Sequence, residues 1–307
     1  MVEGSKHTPV LLREALAALQ IEKGRRYVDC TFGFGGHSLE MLRRGGLVLG
    51  LDVDDSGYRE LKLDPPSLKL RRASVGSETL EIQKNLLFRK TNFVNLENVL
   101  EEVGWDNVDG ILLDLGMSSF QIEESGLGFS FRTDAPLDMR FDASLSVKAS
   151  DLVNGLSEKE LYELIKKFGE DLNARRFARL IVSARSLRAI KTTYDLLTAL
   201  GFSFTSKDRF GRHPATRVFQ ALRIAVNSEL DNLEKVLPQA GKALKVGGRL
   251  VVISFHSLED RLIKRFGNAC NCLRAIDNTV KASQEELAEN PRSGSAKMRV
   301  FEKIAVC

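Results

Sequence analysis

Apolar and polar positions along this chain fall into two alternating rhythms. Leu12, Leu16 and Leu19 recur at helical spacing behind Thr8 and Pro9, which predicts a helix capped by Thr8, with Pro9 in its first position, running to Gln20. Tyr27 to Thr31 is a short strand, Leu39 to Arg44 a short helix, and Leu47 to Asp52 a second strand that ends on a carboxylate. Leu86 to Arg89 predicts a third strand closing at Asn92-Phe93, and Val108 to Asp114 a fourth, apolar at its centre and again ending in an acid. Apolar strands separated by helical stretches belong to a parallel sheet covered on both faces. The expected fold class is α/β, with Asp114 at the carboxyl edge of the sheet, facing the same crevice as Gly35 and Asp52.

From about Gln121 to Arg212 the strand rhythm stops. Ser157 and Glu160 form a capping box ahead of Leu161, Leu164, Ile165 and Phe168, with Gly169 past the end. A second helix is expected from about Asp171 to Ser186 and a third after Thr192 or Thr193. The α/β rhythm then resumes: Thr216 to Leu244 reads as helix with a break or kink at Pro238, Leu250 to Phe255 as a strand, Ser257 and Asp260 as the cap of another helix, and Met298 to Ala305 as a last strand. The chain thus divides into an α/β domain of residues 1–121 and 213–307 and an inserted helical domain of residues 122–212. Asp64-Pro65-Pro66-Ser67 reads as a turn, because no apolar strand leads into it and no aromatic residue follows; Leu68 to Lys84 is a polar excursion.

Composition narrows the class without naming a chemistry. At 307 residues, 43% hydrophobic and 28% charged, the chain has core enough for one large or two ordinary domains. It shows no apolar run of membrane-spanning length and no signal peptide, so a cytoplasmic protein with no membrane partner is expected. Cys30, Cys270, Cys272 and Cys307 are too few and too scattered for a disulfide framework, and neither they nor the four histidines show metal-ligand spacing; reduced thiols and no metal are expected. Charge changes the picture more. Between Lys166 and Arg223 thirteen Lys or Arg face four acids, leaving 32 basic against 37 acidic residues elsewhere. A neutral-to-acidic body with one basic segment fits an enzyme that binds a polyanion, and a solvated helical face is the plainer alternative.

The candidate chemistry starts at Phe32-Gly33-Phe34-Gly35-Gly36-His37-Ser38, between the first strand and its helix. Glycines there let backbone N–H groups approach a ligand, and Asp52 at the tip of the next strand can accept two ribose hydroxyls. A dinucleotide fingerprint needs glycine or alanine at position 38, where Ser38 stands, which weakens the pyrophosphate reading. Asp29, closing the first strand, suits a cationic ligand such as S-adenosylmethionine and disfavours phosphate. Three readings stay open at this point: S-adenosylmethionine, a nicotinamide-type cofactor, and a structural glycine turn.

Longer segments carry a family resemblance. They are His7-Thr8-Pro9-Val10-Leu11-Leu12, Thr31 to Ser38, Asp109 to Gly116 with Gly128 to Arg132 and Pro136 to Arg140, and His213 to Arg223. Ser254-Phe255-His256-Ser257-Leu258-Glu259-Asp260-Arg261 and Asn290-Pro291-Arg292 agree with them. Together they resemble the bacterial 16S rRNA cytosine-N4 methyltransferases, the RsmH or MraW family. The resemblance implies a Rossmann-like class I methyltransferase sheet with an inserted all-helical subdomain for substrate. It also implies S-adenosylmethionine as cofactor and a decoding-region cytosine of 16S rRNA, within the small ribosomal subunit, as acceptor. Carried over by position, the cofactor contacts fall on Gly35, Gly36, His37, Asp52, Phe93, Asp114 and Gln121. Phe34 and Phe120 depart from the family pattern, the first standing where a small or polar residue is usual and the second replacing a common proline.

The exocyclic amine of cytosine is a weak nucleophile, and a group that accepts its proton helps methyl transfer. Asp114 is the candidate acceptor, with a role in cofactor binding alone as the alternative. Phe129 or Phe131 would stack a base flipped out of RNA, or serve the core of the insert. Arg175, Arg176, Arg179, Arg212 and Arg217 are the candidate phosphate contacts. His213 and His256 are expected to be hydrogen-bonded structural residues. The rival functions are a methyltransferase acting on protein or a small metabolite, and a non-catalytic ribosome-assembly factor that keeps the fold.

Overall fold

A computed structural model describes residues 9–61, 84–117, 126–208, 213–276 and 279–306. Thr8, the turn at Asp64 to Ser67, nearly all of the polar excursion, Phe120, Gln121, Arg212 and Cys307 lie outside them. The chain divides into two compact units, one of residues 1–116 with 230–307 and one of residues 117–229.

The first unit carries a seven-stranded sheet in the order β3-β2-β1-β4-β5-β7-β6. Its strands are β1 (Arg26–Asp29), β2 (Leu47–Asp52), β3 (Leu86–Lys90), β4 (Val108–Asp114), β5 (Leu244–Ser254), β6 (Leu273–Ala275) and β7 (Lys297–Lys303). The first five are parallel, and β7 runs antiparallel to both β5 and β6. Alternate side chains point to opposite faces, so each strand serves two cores. Ile111, Leu113, Leu250 and Val252 join Leu96, Val99, Leu233 and Val236 on one face. Leu112, Val251 and Ile253 join Leu16, Leu19, Met41 and Leu42 on the other. This is the doubly wound, Rossmann-like sheet expected. Strand order reverses between β1 and β4, and the carboxyl ends there form the crevice where such sheets bind ligands.

Helices α1 (Leu12–Leu19), α2 (Gly36–Arg43), α3 (Ser56–Glu60) and α4 (Leu96–Glu102) belong to this unit. The first begins later than expected. Leu11 adopts a left-handed conformation (φ 52°), its N–H donates to Glu286 Oε1 at 2.7 Å, and Pro9 precedes the helix instead of opening it.

The second unit is helical: α5 (Ala149–Gly155), α6 (Glu158–Gly169), α7 (Ala174–Leu187), α8 (Thr193–Ala199) and α9 (Thr216–Asn227) enclose a core that includes Leu161, Ile165, Phe177, Ile181 and Leu196. Ser157 and Glu160 cap α6 as expected. The unit extends beyond the expected limits of 122 and 212, because α9 buries Val218, Phe219 and Leu222 in this same core. The expected helix from Thr216 to Leu244 is in fact two helices, α9 and α10 (Glu229–Ala243). They part at Ser228 (φ 49°), where Asn227 donates to Met139 O at 2.7 Å and accepts Phe141 N–H at 2.8 Å; Pro238 lies inside α10 without ending it. Two helices remain, α11 (Ser257–Ala269) and α12 (Gln284–Glu289). The cap of α11 is His256 with Glu259, one residue earlier than the Ser257 and Asp260 pattern predicts. Cys30 and Cys270 carry free thiols, and Cys270 Sγ lies 3.0 Å from Cys272 Sγ.

The glycine turn after β1 is backed by α3. A Cβ on Gly57 would stand 2.0 Å from the Gly33 carbonyl oxygen, which is backbone and cannot swing aside. Gly57→Ala is therefore expected to cost about 1–3 kcal/mol in urea unfolding, as overpacking of a tight contact does, and to weaken ligand binding at the turn. A variant as stable as wild type would show that this backing is not required.

Candidate cofactor and catalytic site

Three carboxylates gather at the carboxyl edge of the first unit's sheet, each at the end of a strand. Asp29, at the end of β1, is buried; Ser38 Oγ donates to its Oδ2 at 2.7 Å and the Thr31 N–H to its Oδ1 at 3.2 Å. Asp114 ends β4, and its backbone N–H donates to Thr31 Oγ1 at 2.7 Å, so one threonine ties the two strand tips together. Asp52 ends β2, its Oδ2 accepting the Gly33 N–H at 2.7 Å and its Oδ1 the Asp54 N–H at 3.0 Å. Each Asp52 oxygen keeps a further lone pair for a ligand hydroxyl. Phe93 follows β3 in a short 3-10 turn, half-buried; the Thr91 N–H just before it donates to the Asp52 carbonyl at 2.7 Å.

The glycines divide their tasks. Gly35 stands at the N-cap of α2 in the left-handed region (φ 76°) and offers no side-chain cap to the first-turn amides of α2, the groups that bind an anion or dipole at a helix start. Gly36 is small for a different reason, since a Cβ there would meet Pro9 Cγ at 2.3 Å. His37 is buried, and its Nε2–H donates to the Val10 carbonyl at 3.2 Å, leaving Nδ1 as a lone pair 3.9 Å from Asp114 Oδ2. Burial drives the His37 pKa down to about 4, so this is a neutral imidazole beside an acid rather than an ion pair.

Among the described residues no Lys or Arg pairs with Asp29, Asp52 or Asp114. Burial raises all three: Asp29 and Asp52 to about 6, Asp114 to about 7, with the charge of Asp29 adding to the effect on Asp114. The edge is thus a cluster of acids that lacks its cation. That chemistry fits a ligand with a positive end and ribose hydroxyls, and it does not fit a pyrophosphate.

In the second unit Arg175, Arg176 and Arg179 are exposed together on α7, and the Arg175 guanidinium lies 5.4 Å from the Tyr162 ring centroid, with the Lys166 ammonium at the same distance from that ring. The other members of the basic segment are partly engaged inside the unit. Arg185 donates to Val153 O at 2.7 Å, Arg217 to Glu170 O at 2.7 Å beyond the end of α6, and Arg223 pairs with Glu229 at 2.8 Å. Phe129 stacks on Phe141, and Phe131 packs on His213 and Phe219, so both serve the core of the unit as the plainer reading had it. His213 and His256 are hydrogen-bonded through Nδ1 to Ala215 N–H and Glu259 N–H. Sequence reasoning missed Thr31, Ser38 as a donor, Gly57 and Glu259. The signal available for Ser38 was its distance of nine residues from Asp29, across the glycine turn and into the first turn of α2.

A carboxyl that holds its proton more tightly when folded adds stability below its unfolded pKa of about 4, and that contribution is lost as pH rises through the folded value. For Asp114 the loss falls between pH 4 and about 7. His37 acts in the opposite sense, adding stability above pH 6.5 that is lost as pH falls toward 4. The telling comparison is therefore between wild type and Asp114→Asn. Thermal melts from pH 5 to 8 are expected to show a steeper fall in Tm for wild type than for the variant, and parallel curves would contradict the buried, cation-free site.

Comparison with known proteins gives the family. The family model described as the MraW methylase family matches residues 4–304. Ribosomal RNA small subunit methyltransferase H of Dehalococcoides mccartyi is 44% identical, over 97% of this chain and 86% of that protein. The proteins of the same name from Thiobacillus denitrificans and Thermosipho africanus are each 41% identical, over 97% of this chain and 97% and 98% of theirs. A match of this length places the chain in the MraW methylase family.

Proposed function

We propose that this protein transfers the methyl group of S-adenosylmethionine to the N4 amine of a cytosine in the decoding region of 16S rRNA, in the cytoplasm and within the small ribosomal subunit. The observation that carries the reading is the pair of acids, Asp29 buried and Asp114 half-buried, tied together by Thr31 and lacking any basic partner among the described residues. Asp52 would take the ribose hydroxyls, Gly35, the Gly36 amide and the Phe93 ring would flank the nucleoside, and Asp29 and Asp114 would face the cationic end. When bound, S-adenosylmethionine supplies a methyl group on a positively charged sulfur, open to in-line displacement. Gln121, which the family pattern adds to these contacts, lies outside the described residues.

What the chain's own groups contribute is positioning and proton handling. Asp114 titrates near 7, so at neutral pH a large fraction is ionised while the group is a far stronger base than an ordinary aspartate. It would accept the proton that the cytosine amine gives up as the new carbon–nitrogen bond forms. His37 stays neutral beside it and adds no cation to compete for the same carboxylate. The exposed arginines of α7 would meet the RNA backbone, with Arg217 and Arg212 as further phosphate contacts.

Mapping N4-methylcytidine in 16S rRNA from cells with and without the protein tests the assignment, and the modification is expected to vanish from a single position in its absence. Radiolabelled methyl that enters protein or a small-molecule fraction instead would overturn it. Replacing Arg175 and Arg176 together with Glu is expected to weaken binding to rRNA or to the small subunit at least tenfold. It should also flatten the salt dependence by roughly one unit of log–log slope for each phosphate that is no longer neutralised, with S-adenosylmethionine affinity unchanged. An unaltered salt slope would remove α7 from the RNA-binding surface.

A further inference from the structure

Glu259 completes the capping box of α11, its Oε2 accepting the N–H groups of Phe255 at 2.8 Å and His256 at 3.2 Å. Helices α6 and α8 use the same device with Glu160 exposed and Asp195 half-buried. Glu259 instead is 3% exposed, and among the described residues it has no Lys or Arg partner. A cap works equally well from the surface, so burying this carboxylate adds a desolvation cost that capping does not require. His256 does not offset it. The His256 Nδ1 accepts the Glu259 N–H at 3.3 Å, which assigns the proton to Nε2; that nitrogen lies 3.1 Å from Glu259 Oε1 but out of line for a hydrogen bond.

The place of this acid in the fold gives it a neighbour. Asp114 pairs with Ile253 across β4 and β5, and the Leu115 N–H donates to the Ile253 carbonyl at 3.0 Å. Two residues on, the Phe255 ring presses on the turn after Asp114. A Cβ on Gly116 would stand 2.7 Å from that ring and 3.3 Å from Asp114 Oδ1. The turn that Glu259 ties down is therefore the one packed against Asp114. Among the described residues, the charged or titratable groups that act on Asp114 are Asp29 from β1 and Glu259 from α11, with the His37 ring of α2 3.9 Å away.

We propose that Glu259 is a positioning residue for the reaction at Asp114: it fixes the β5–α11 turn against the Asp114 loop and sets a second buried negative charge behind it, which makes Asp114 the proton acceptor. The proposal rests on the methyl-transfer reading given above. Behind it stands the effect of like charge, since Asp29 and Glu259 both push the Asp114 pKa upward, after the larger contribution of burial.

Glu259→Gln tests this in the full-length protein, because a glutamine oxygen still accepts the two backbone N–H groups and keeps the cap. Carboxyl carbon-13 NMR, with the Asp114 signal assigned from Asp114→Asn, is expected to show its titration midpoint moving to lower pH in the glutamine variant. Glu259→Asp, which keeps the charge, should hold the midpoint near wild type and serves in its place if the glutamine variant unfolds, where a midpoint that instead follows loss of the cap would overturn the proposal. In methyl-transfer assays the acid limb of the kcat profile should move the same way, with kcat at pH 8 reduced severalfold and the KM for S-adenosylmethionine within twofold. An unmoved midpoint overturns the proposal whether or not the protein methylates rRNA. A moved midpoint with unchanged kcat shows that Glu259 tunes the carboxyl without serving the reaction, and overturns it as well. Absence of any rRNA methylation by wild type, with the midpoint still moving, would count against the functional reading and leave the coupling of Glu259 to Asp114 standing.

Discussion

Negative charge drawn together without a cation among the described residues is the constraint around which the first unit is arranged. Desolvating a carboxylate costs several kcal/mol unless a partner offsets it, yet Asp29, Asp52 and Asp114 meet at one sheet edge with hydrogen bonds alone to share their charge. Ser38, Thr31 and the Gly33 amide soften that cost and aim the oxygens, and none of them neutralises it. The folded chain copes by holding protons that free aspartates would release. Such a site is unfavourable for stability and favourable for a positively charged ligand, a trade common at functional centres.

The sheet supplies the precision. Parallel pairing of β1 with β2 and β4 sets Asp29 beside Gly50 and Leu112, so Asp52 and Asp114 stand level with each other, each two residues beyond Asp29. Their apolar residues are buried on both faces, which leaves the strand tips little freedom to move. Packing thus fixes the chemistry: the core sets where the carboxylates stand, and the turns after each strand decide what each of them touches.

Much of this was legible in the residues. Apolar strands ending in Asp52 and Asp114 announced both the fold and the edge where the site lies, because a buried parallel strand has a strong local signature. Helix limits were less legible. The end of α9 depends on Asn227 reaching Met139 and Phe141, a contact across more than eighty positions that no local pattern encodes, while the proline within α10 drew attention to the wrong place. The cap of α11 lies one residue earlier because two overlapping patterns, His256 with Glu259 and Ser257 with Asp260, compete there, and Asp260 is drawn to Lys297 and Arg299 instead. Ser38 shows the same limit from the other side. Sequence comparison with a dinucleotide fingerprint registers it only as a mismatch, and its positive role appears once Asp29 is seen 2.7 Å away.

Pro9 and Val10 give the site a wall that comes from outside the motif they touch. Pro9 occupies the space that a side chain on Gly36 would fill, and the Val10 carbonyl fixes which nitrogen of His37 carries hydrogen. The residues ahead of α1 and the turn after β1 therefore behave as one surface: a larger residue at position 36 requires the leading segment to lift away, and once it lifts, the imidazole is free to exchange its tautomer. Chemistry at the sheet edge is in this way answerable to a stretch of chain that contributes no reactive group of its own.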